Sequence, residues 1–284
     1  MDIPVWFNEF VSPDAHRIAI IKKELEKRAL SYKEVALNGD VHLIVYPCNT
    51  EKKEDYRLKL LTAHYDRVPH TQGVLDNSCA VWQLMDFASS PVPKENVVIA
   101  FTDHEEIPHD GSVREQGAFF LGSALASMGI DTPAVFCFDV TGHGDTILIA
   151  DTVQQVVQRY DALKPLQHQV SILSKIVSQH FASNHIRALE GFLPFGENLG
   201  FMLSGLPALE ISMVPYHEAP RRLNAFSGAI VHGDGNTSTP AFWSYLHSMQ
   251  DTVDLITPEA FFIMQKVLAC LGSMHLSKNT LQNT

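Results

Sequence analysis

The hydrophobic pattern of the chain changes period repeatedly, and the changes divide it into alternating helices and strands. Over residues 13–30, Ile18, Ile21, Leu25 and Ala29 recur at helical spacing with Lys and Glu between them, which predicts an amphipathic helix packed on a sheet. Residues 41–46 and 58–63 are short β-prone runs separated by the charged turn Glu51-Lys52-Lys53-Glu54-Asp55, the pattern of a hairpin or of adjacent strands. Residues 77–89 return to helical spacing, with Ala80, Val81, Leu84, Met85 and Ala88 on one face and Pro91 and Pro93 closing the element. Residues 96–101 and 134–138 are nearly unbroken apolar runs, as expected of strands covered on both faces. Between them, residues 116–128 predict a helix ending at Gly129.

Further on, residues 153–184 predict one or two helices, 206–213 a strand and 258–275 a final amphipathic helix. Strand and helix in this alternation predict an α/β fold, a three-layer sandwich with a mixed, mostly parallel central sheet and helices on both faces. Ligands in such folds gather beyond the carboxyl ends of the strands. Residues 1–284 are expected to form one domain. The stretch 214–240, rich in Gly, His, Asn and Arg and without periodicity, is long for a plain connection and is expected to shape the site.

Composition narrows the function classes. Twenty-one basic against 32 acidic residues give a formal net charge of −11, which argues against nucleic acid or an anionic membrane as a partner. The start of the chain has no basic region followed by an apolar run, and no segment reaches bilayer length, so a cytoplasmic protein is expected. Cys48, Cys79, Cys137 and Cys270 are widely spaced beside apolar segments and are expected to be buried thiols. An oligomer is possible but nothing indicates one.

The chemistry lies where apolar runs stop. His64 and Asp66 follow one run and point to the same face if the strand continues, so one can bind a metal while the other holds the ring. A hydrogen-bonded pair at a strand end is the plain alternative. Asp76, before a helix, reads alone as a helix cap. Glu105 and Glu106 follow a second run, where two adjacent carboxylates repel and resist burial unless a cation or proton satisfies them. Asp139 follows a third run, and His247 lies in His247-Ser248-Met249-Gln250-Asp251-Thr252.

Taken in order, these elements resemble the zinc exopeptidase family that includes bacterial leucyl aminopeptidases, glutamate carboxypeptidase and, more distantly, glutaminyl cyclases. The likeness runs over residues 58–271 and adds Gly122-Ser123, Gly142 and Gly205-Leu206-Pro207-Ala208 to the residues above. The resemblance implies two zinc ions per chain. It implies one held by His64 and Asp139, the other by Glu106 and His247, with Asp76 bridging them, Asp66 orienting His64 and Glu105 acting as general base. The implied activity is release of N-terminal residues from a peptide substrate. A glutaminyl-cyclase-like acyl transfer with a single zinc, or a binding protein that kept the fold without catalysis, are the competing readings.

The chain departs from the family at Gly196-Glu197-Asn198-Leu199-Gly200-Phe201, where relatives often carry Ser-Asp-His before a Phe. A somewhat long segment, His109 to Arg114, follows Glu106 and could narrow the pocket. His143, Tyr216, His217, His232, Arg221 and Arg222 are possible substrate contacts or ordinary loop residues, and Trp243 could line a pocket. Trp82, Phe119 and Phe120 read as packing residues.

Overall fold

The computed structural model describes residues 1–107, 111–128, 132–191, 193–194, 196–219 and 241–281. Along the chain run α1 (Val5–Phe10), α2 (Arg17–Lys27), β1 (Ser31–Leu37), β2 (Asp40–Tyr46), β3 (Thr50–Glu51), β4 (Lys59–His64), α3 (Cys79–Ser89), β5 (Lys94–Glu95) and β6 (Val97–Thr102). There follow α4 (Gly117–Ser127), β7 (Ala134–Phe138), β8 (Thr146–Ala150), α5 (Thr152–Val156), α6 (Lys164–Ser183), β9 (Ala188–Gly191), α7 (Glu197–Leu203), β10 (Ala208–Val214) and α8 (Pro258–Ser273).

The main sheet has eight strands in the order β1-β2-β6-β4-β7-β10-β8-β9. Its centre is parallel: β4 lies between β6 and β7, and β7 pairs with β10. Antiparallel pairs occur where β2 meets β1 and β6 and where β8 meets β10. Every residue of β4, β7, β8 and β10 is buried, which requires cover on both faces and explains why their sequences do not alternate. The expected mixed, mostly parallel α/β architecture is the observed one.

Several expectations need correction. The runs at 41–46 and 58–63 are not neighbours. Helix α3 carries the chain from β4 across to β6, which docks parallel to β4 and takes the place beside β2. The partner of β2 on its other side is β1, joined to it across Asn38 and Gly39, which have φ of 53° and 99° and form a tight hairpin turn. Strands β1, β8 and β9 and helix α7 fall outside the sequence reading. The stretch 153–184 resolves into α5 and α6. Helix α4 ends at Ser127, and Gly129 lies outside the described residues. Cys48 is exposed rather than buried, because it stands beyond the end of β2; Cys79, Cys137 and Cys270 are buried. Among the described residues, no helix is long and apolar enough to cross a membrane.

Candidate metal centre

Parallel strands release their chain at a common rim, so the residues just after β4, β6 and β7 meet even though they are far apart in sequence. His64 is the last residue of β4 and is buried, while Asp66 stands two residues on. His64 Nε2 lies 3.3 Å from Asp76 Oδ1 and 3.8 Å from Asp139 Oδ1, and its Nδ1 lies 3.3 Å from Asp66 Oδ1. His247 Nε2 lies 2.9 Å from Asp76 Oδ2 and 3.4 Å from Glu106 Oε2. Asp76 therefore turns one carboxylate oxygen toward each histidine.

The backbone around these residues is fastened locally. Asp76 projects from the tight turn Val74–Ser78 that opens α3, and its peptide bond to Asn77 is cis. The buried Asp251 carboxylate accepts the backbone N–H of Leu75 at 2.7 Å and of Asp76 at 3.2 Å. Asn77 Nδ2 donates to the Phe138 carbonyl at 2.7 Å, tying this turn to the end of β7 beside Asp139. The Asp66 carboxylate accepts the backbone N–H of Glu105 at 3.1 Å and of Glu106 at 3.0 Å. One aspartate thus faces His64 and also sets the direction in which both glutamates leave the strand. Gln116 Nε2 donates to Glu105 Oε1 at 3.1 Å and holds that carboxylate.

Electrostatics mark the cluster as short of positive charge. Burial, then the nearby Asp139, Asp76 and Glu106 carboxylates, raise the Glu105 carboxyl well above its ordinary range. Burial followed by Asp76 pushes Glu106 up to about 8. Burial opposes charge on His64, but the surrounding Asp139, Asp66 and Asp76 outweigh it and raise the imidazole. His247, held by Asp76, is raised to about 9. Carboxylates packed this closely need a cation or protons.

The residues fit zinc. His64 Nε2, Glu106 Oε1 and Asp139 Oδ1 are buried without a hydrogen-bond partner among the described residues. Tetrahedral zinc with bonds of about 2.0–2.1 Å places its donor atoms about 3.3 Å apart, and the separations of 3.3 and 3.8 Å around His64 and of 2.9 and 3.4 Å around His247 match that spacing. Two groups of candidate ligands, His64-Asp76-Asp139 and Asp76-Glu106-His247, share Asp76.

A cleft of about 200 Å³ opens onto the cluster, lined by Asp76, Glu105, Asp139, Glu210 and His247 on its polar side and by Val140, Pro194, Trp243 and Leu246 on its apolar side. No Lys or Arg is among these lining residues. Gly196 closes one corner: the position of a β-carbon there lies 3.4 Å from Glu210 Oε2 and 3.5 Å from both Asp139 Oδ2 and Glu105 Oε1. Glu210 on β10 accepts the Gly196 N–H at 3.0 Å.

The remaining sequence candidates divide. Trp243 lines the cleft, whereas Trp82 packs between Phe7 and Phe261, and Phe119 and Phe120 form an edge-on pair on α4. His143 Nδ1 faces the Leu255 carbonyl at 2.6 Å. Tyr216 is exposed under Arg187, and His217 is exposed beside Glu218. His109, Arg221, Arg222 and His232 lie outside the described residues, as does 220–240 of the expected site-shaping loop. Sequence reasoning missed Asp251, Gln116 and Glu210 as parts of the site. Only Asp251 had a signal, its place in the His247-Ser248-Met249-Gln250-Asp251-Thr252 stretch that carries the resemblance.

Comparison with known proteins finds likeness at the level of family and of fold. The model of peptidase family M28 matches residues 45–271. No match was found among curated proteins. A glutaminyl cyclase from Porphyromonas gingivalis superposes with a TM-score of 0.63 at 15% identity, over 94% of this chain and 95% of that one. The LapA aminopeptidase from Legionella pneumophila superposes with a TM-score of 0.62 at 14% identity, over 95% of this chain and 71% of that one. A Zn-dependent exopeptidase from Parabacteroides distasonis gives 0.60 at 16% identity, over 95% and 96%. At such identities the superpositions speak for the fold.

Proposed function

The chain belongs to peptidase family M28, and from that premise we propose that it is a zinc-dependent aminopeptidase that removes N-terminal residues from peptides. The observation that carries this reading is the Asp76 carboxylate, with one oxygen 3.3 Å from His64 and the other 2.9 Å from His247. His64 and Asp139 would hold one ion, Glu106 and His247 the other, and Asp76 both. Bound as a pair, such ions lower the pKa of a water and polarise a carbonyl.

The chain's own groups do the rest. Glu105 takes a proton from the attacking water and returns it to the leaving amine. Gln116 aims its carboxylate, and Asp66 fixes its backbone. The described lining of the cleft offers no Lys or Arg to a terminal carboxylate, which supports action at the amino end of a peptide.

A second reading is supported by the likeness in fold to the P. gingivalis cyclase, at a TM-score of 0.63. In it, Asp76, Glu106 and His247 would hold a single zinc; the α-amine of an N-terminal glutamine bonds to its own side-chain amide carbon, and Glu105 carries the amine's proton to the amide nitrogen, which leaves as ammonia. One experiment separates the two: aminoacyl reporter peptides and N-terminal glutamine peptides are assayed with chelator and with restored zinc, alongside metal analysis. Two zinc ions per chain with chelator-sensitive amino-acid release are expected. One zinc with pyroglutamate formation favours the cyclase, and no chelator-sensitive reaction on any N-terminus overturns both.

A further inference from the structure

We infer that Arg17 is a positioning residue of the metal centre, its buried guanidinium clamping the segment that carries Asp66, just after β4, to the turn that carries Asp76. This inference rests on the metal-binding reading above. Arg17 is the first residue of α2, where a cation opposes the helix dipole, and it is buried, where a cation loses its hydration. Burial lowers its pKa to about 9. Nothing local offsets these costs.

The offset is tertiary. Nη1 donates to the backbone carbonyl of Asp66 at 2.9 Å, Nη2 donates to the Ser78 hydroxyl, and the guanidinium carbon stands 4.0 Å from the centre of the Phe10 ring. Ser78 passes the connection on by donating to the Gly73 carbonyl, which closes the turn Val74–Ser78 that bears Asp76. Asp66, held by its carbonyl, presents its carboxylate to His64 and to the backbone of Glu105 and Glu106. Arg17 grips the Asp76 turn at its Ser78 end, while Asp251 grips the same turn through the N–H groups of Leu75 and Asp76. A planar fork can span two loops at once, whereas the point charge of a lysine cannot.

Partners of metal ligands tune affinity by about 10- to 100-fold. Metal-stripped wild type, Arg17→Met and Ser78→Ala are titrated with zinc, and the visible spectrum of each cobalt-loaded protein is recorded together with its circular dichroism. Arg17→Met should fold, bind zinc about tenfold or more weakly and shift the cobalt bands; Ser78→Ala should do the same to a smaller degree. Folded variants with wild-type affinity and unchanged cobalt bands overturn the inference, even if their melting temperatures fall. If Arg17→Met does not fold, Ser78→Ala decides alone. A wild type that binds no zinc removes the proposed function, and this inference with it.

Discussion

Strand β4 begins with Lys59 and ends with His64, both 1% exposed, and the protein treats the two ends oppositely. Lys59 Nζ donates to three carbonyls, of Leu271 at 2.7 Å, Gly272 at 3.0 Å and Met274 at 2.5 Å, which closes the C-terminal end of α8. Lys94, on β5 shortly before the start of β6, is likewise bound by the carbonyls of Cys48, Ser90 and Val92. Among the described residues His64 has no aligned partner for either ring nitrogen, and it faces the carboxylates of Asp66, Asp76 and Asp139. A buried polar group with every hydrogen bond made serves the fold; one left short of them calls for an explanation, which a bound cation would supply at His64.

Four measurements break or sharpen that contrast. Glu105→Gln should keep its zinc and lose about 100- to 10,000-fold in kcat, the usual weight of a general base; unchanged turnover would take Glu105 out of the mechanism. Asp76→Asn, which spoils the group facing both histidines, should reduce zinc bound per chain and weaken affinity by more than any variant at the Lys59 end. Lys59→Met should do the reverse. Leaving carbonyls unpaired, it should cost about 1–3 kcal/mol of stability in urea denaturation, with kcat and zinc content as in wild type. Finally, the melting temperature of the metal-stripped protein should fall as pH rises between 4.5 and about 8, the ordinary and folded values for Glu106. Below 4.5 the carboxyl is protonated in both states; above it the unfolded chain ionises first, so raising pH favours unfolding. His247, raised to about 9, works in the same direction. Added zinc should flatten the slope, and a melting temperature that climbs with pH in stripped protein would contradict the assigned environment.

Four of the proposed site residues were legible because each follows an apolar run that only a buried strand explains, whereas Asp76 and His247 follow no strand and were read from the resemblance. His64, Glu105, Glu106 and Asp139 are charged residues where the pattern demands burial, and that conflict is itself the signal. Other parts were hidden for physical reasons. Strand β1 is an edge strand with mostly exposed or half-exposed residues, so it lacks an apolar run; its Asn38-Gly39 turn was the cue that went unread. Strand β9 is short and only partly buried. Arg17 looks like an ordinary surface position of an amphipathic helix, and only the coordinates show it turned inward. The order of β2, β6 and β4 was beyond reach because strand neighbours depend on crossovers, which periodicity does not encode.

The five proposed ligands are drawn from both halves of the chain, and they differ sharply in access: the His64 side chain is 1% exposed and that of His247 is 59% exposed. His64 and Asp139 come from neighbouring strand ends and Asp76 from the turn before α3, and the carboxylate of Asp251, from the last part of the chain, holds that turn. The side that ends at His247 is the one open to solvent. An ion held there should exchange first, and one held by His64 should survive dialysis longest.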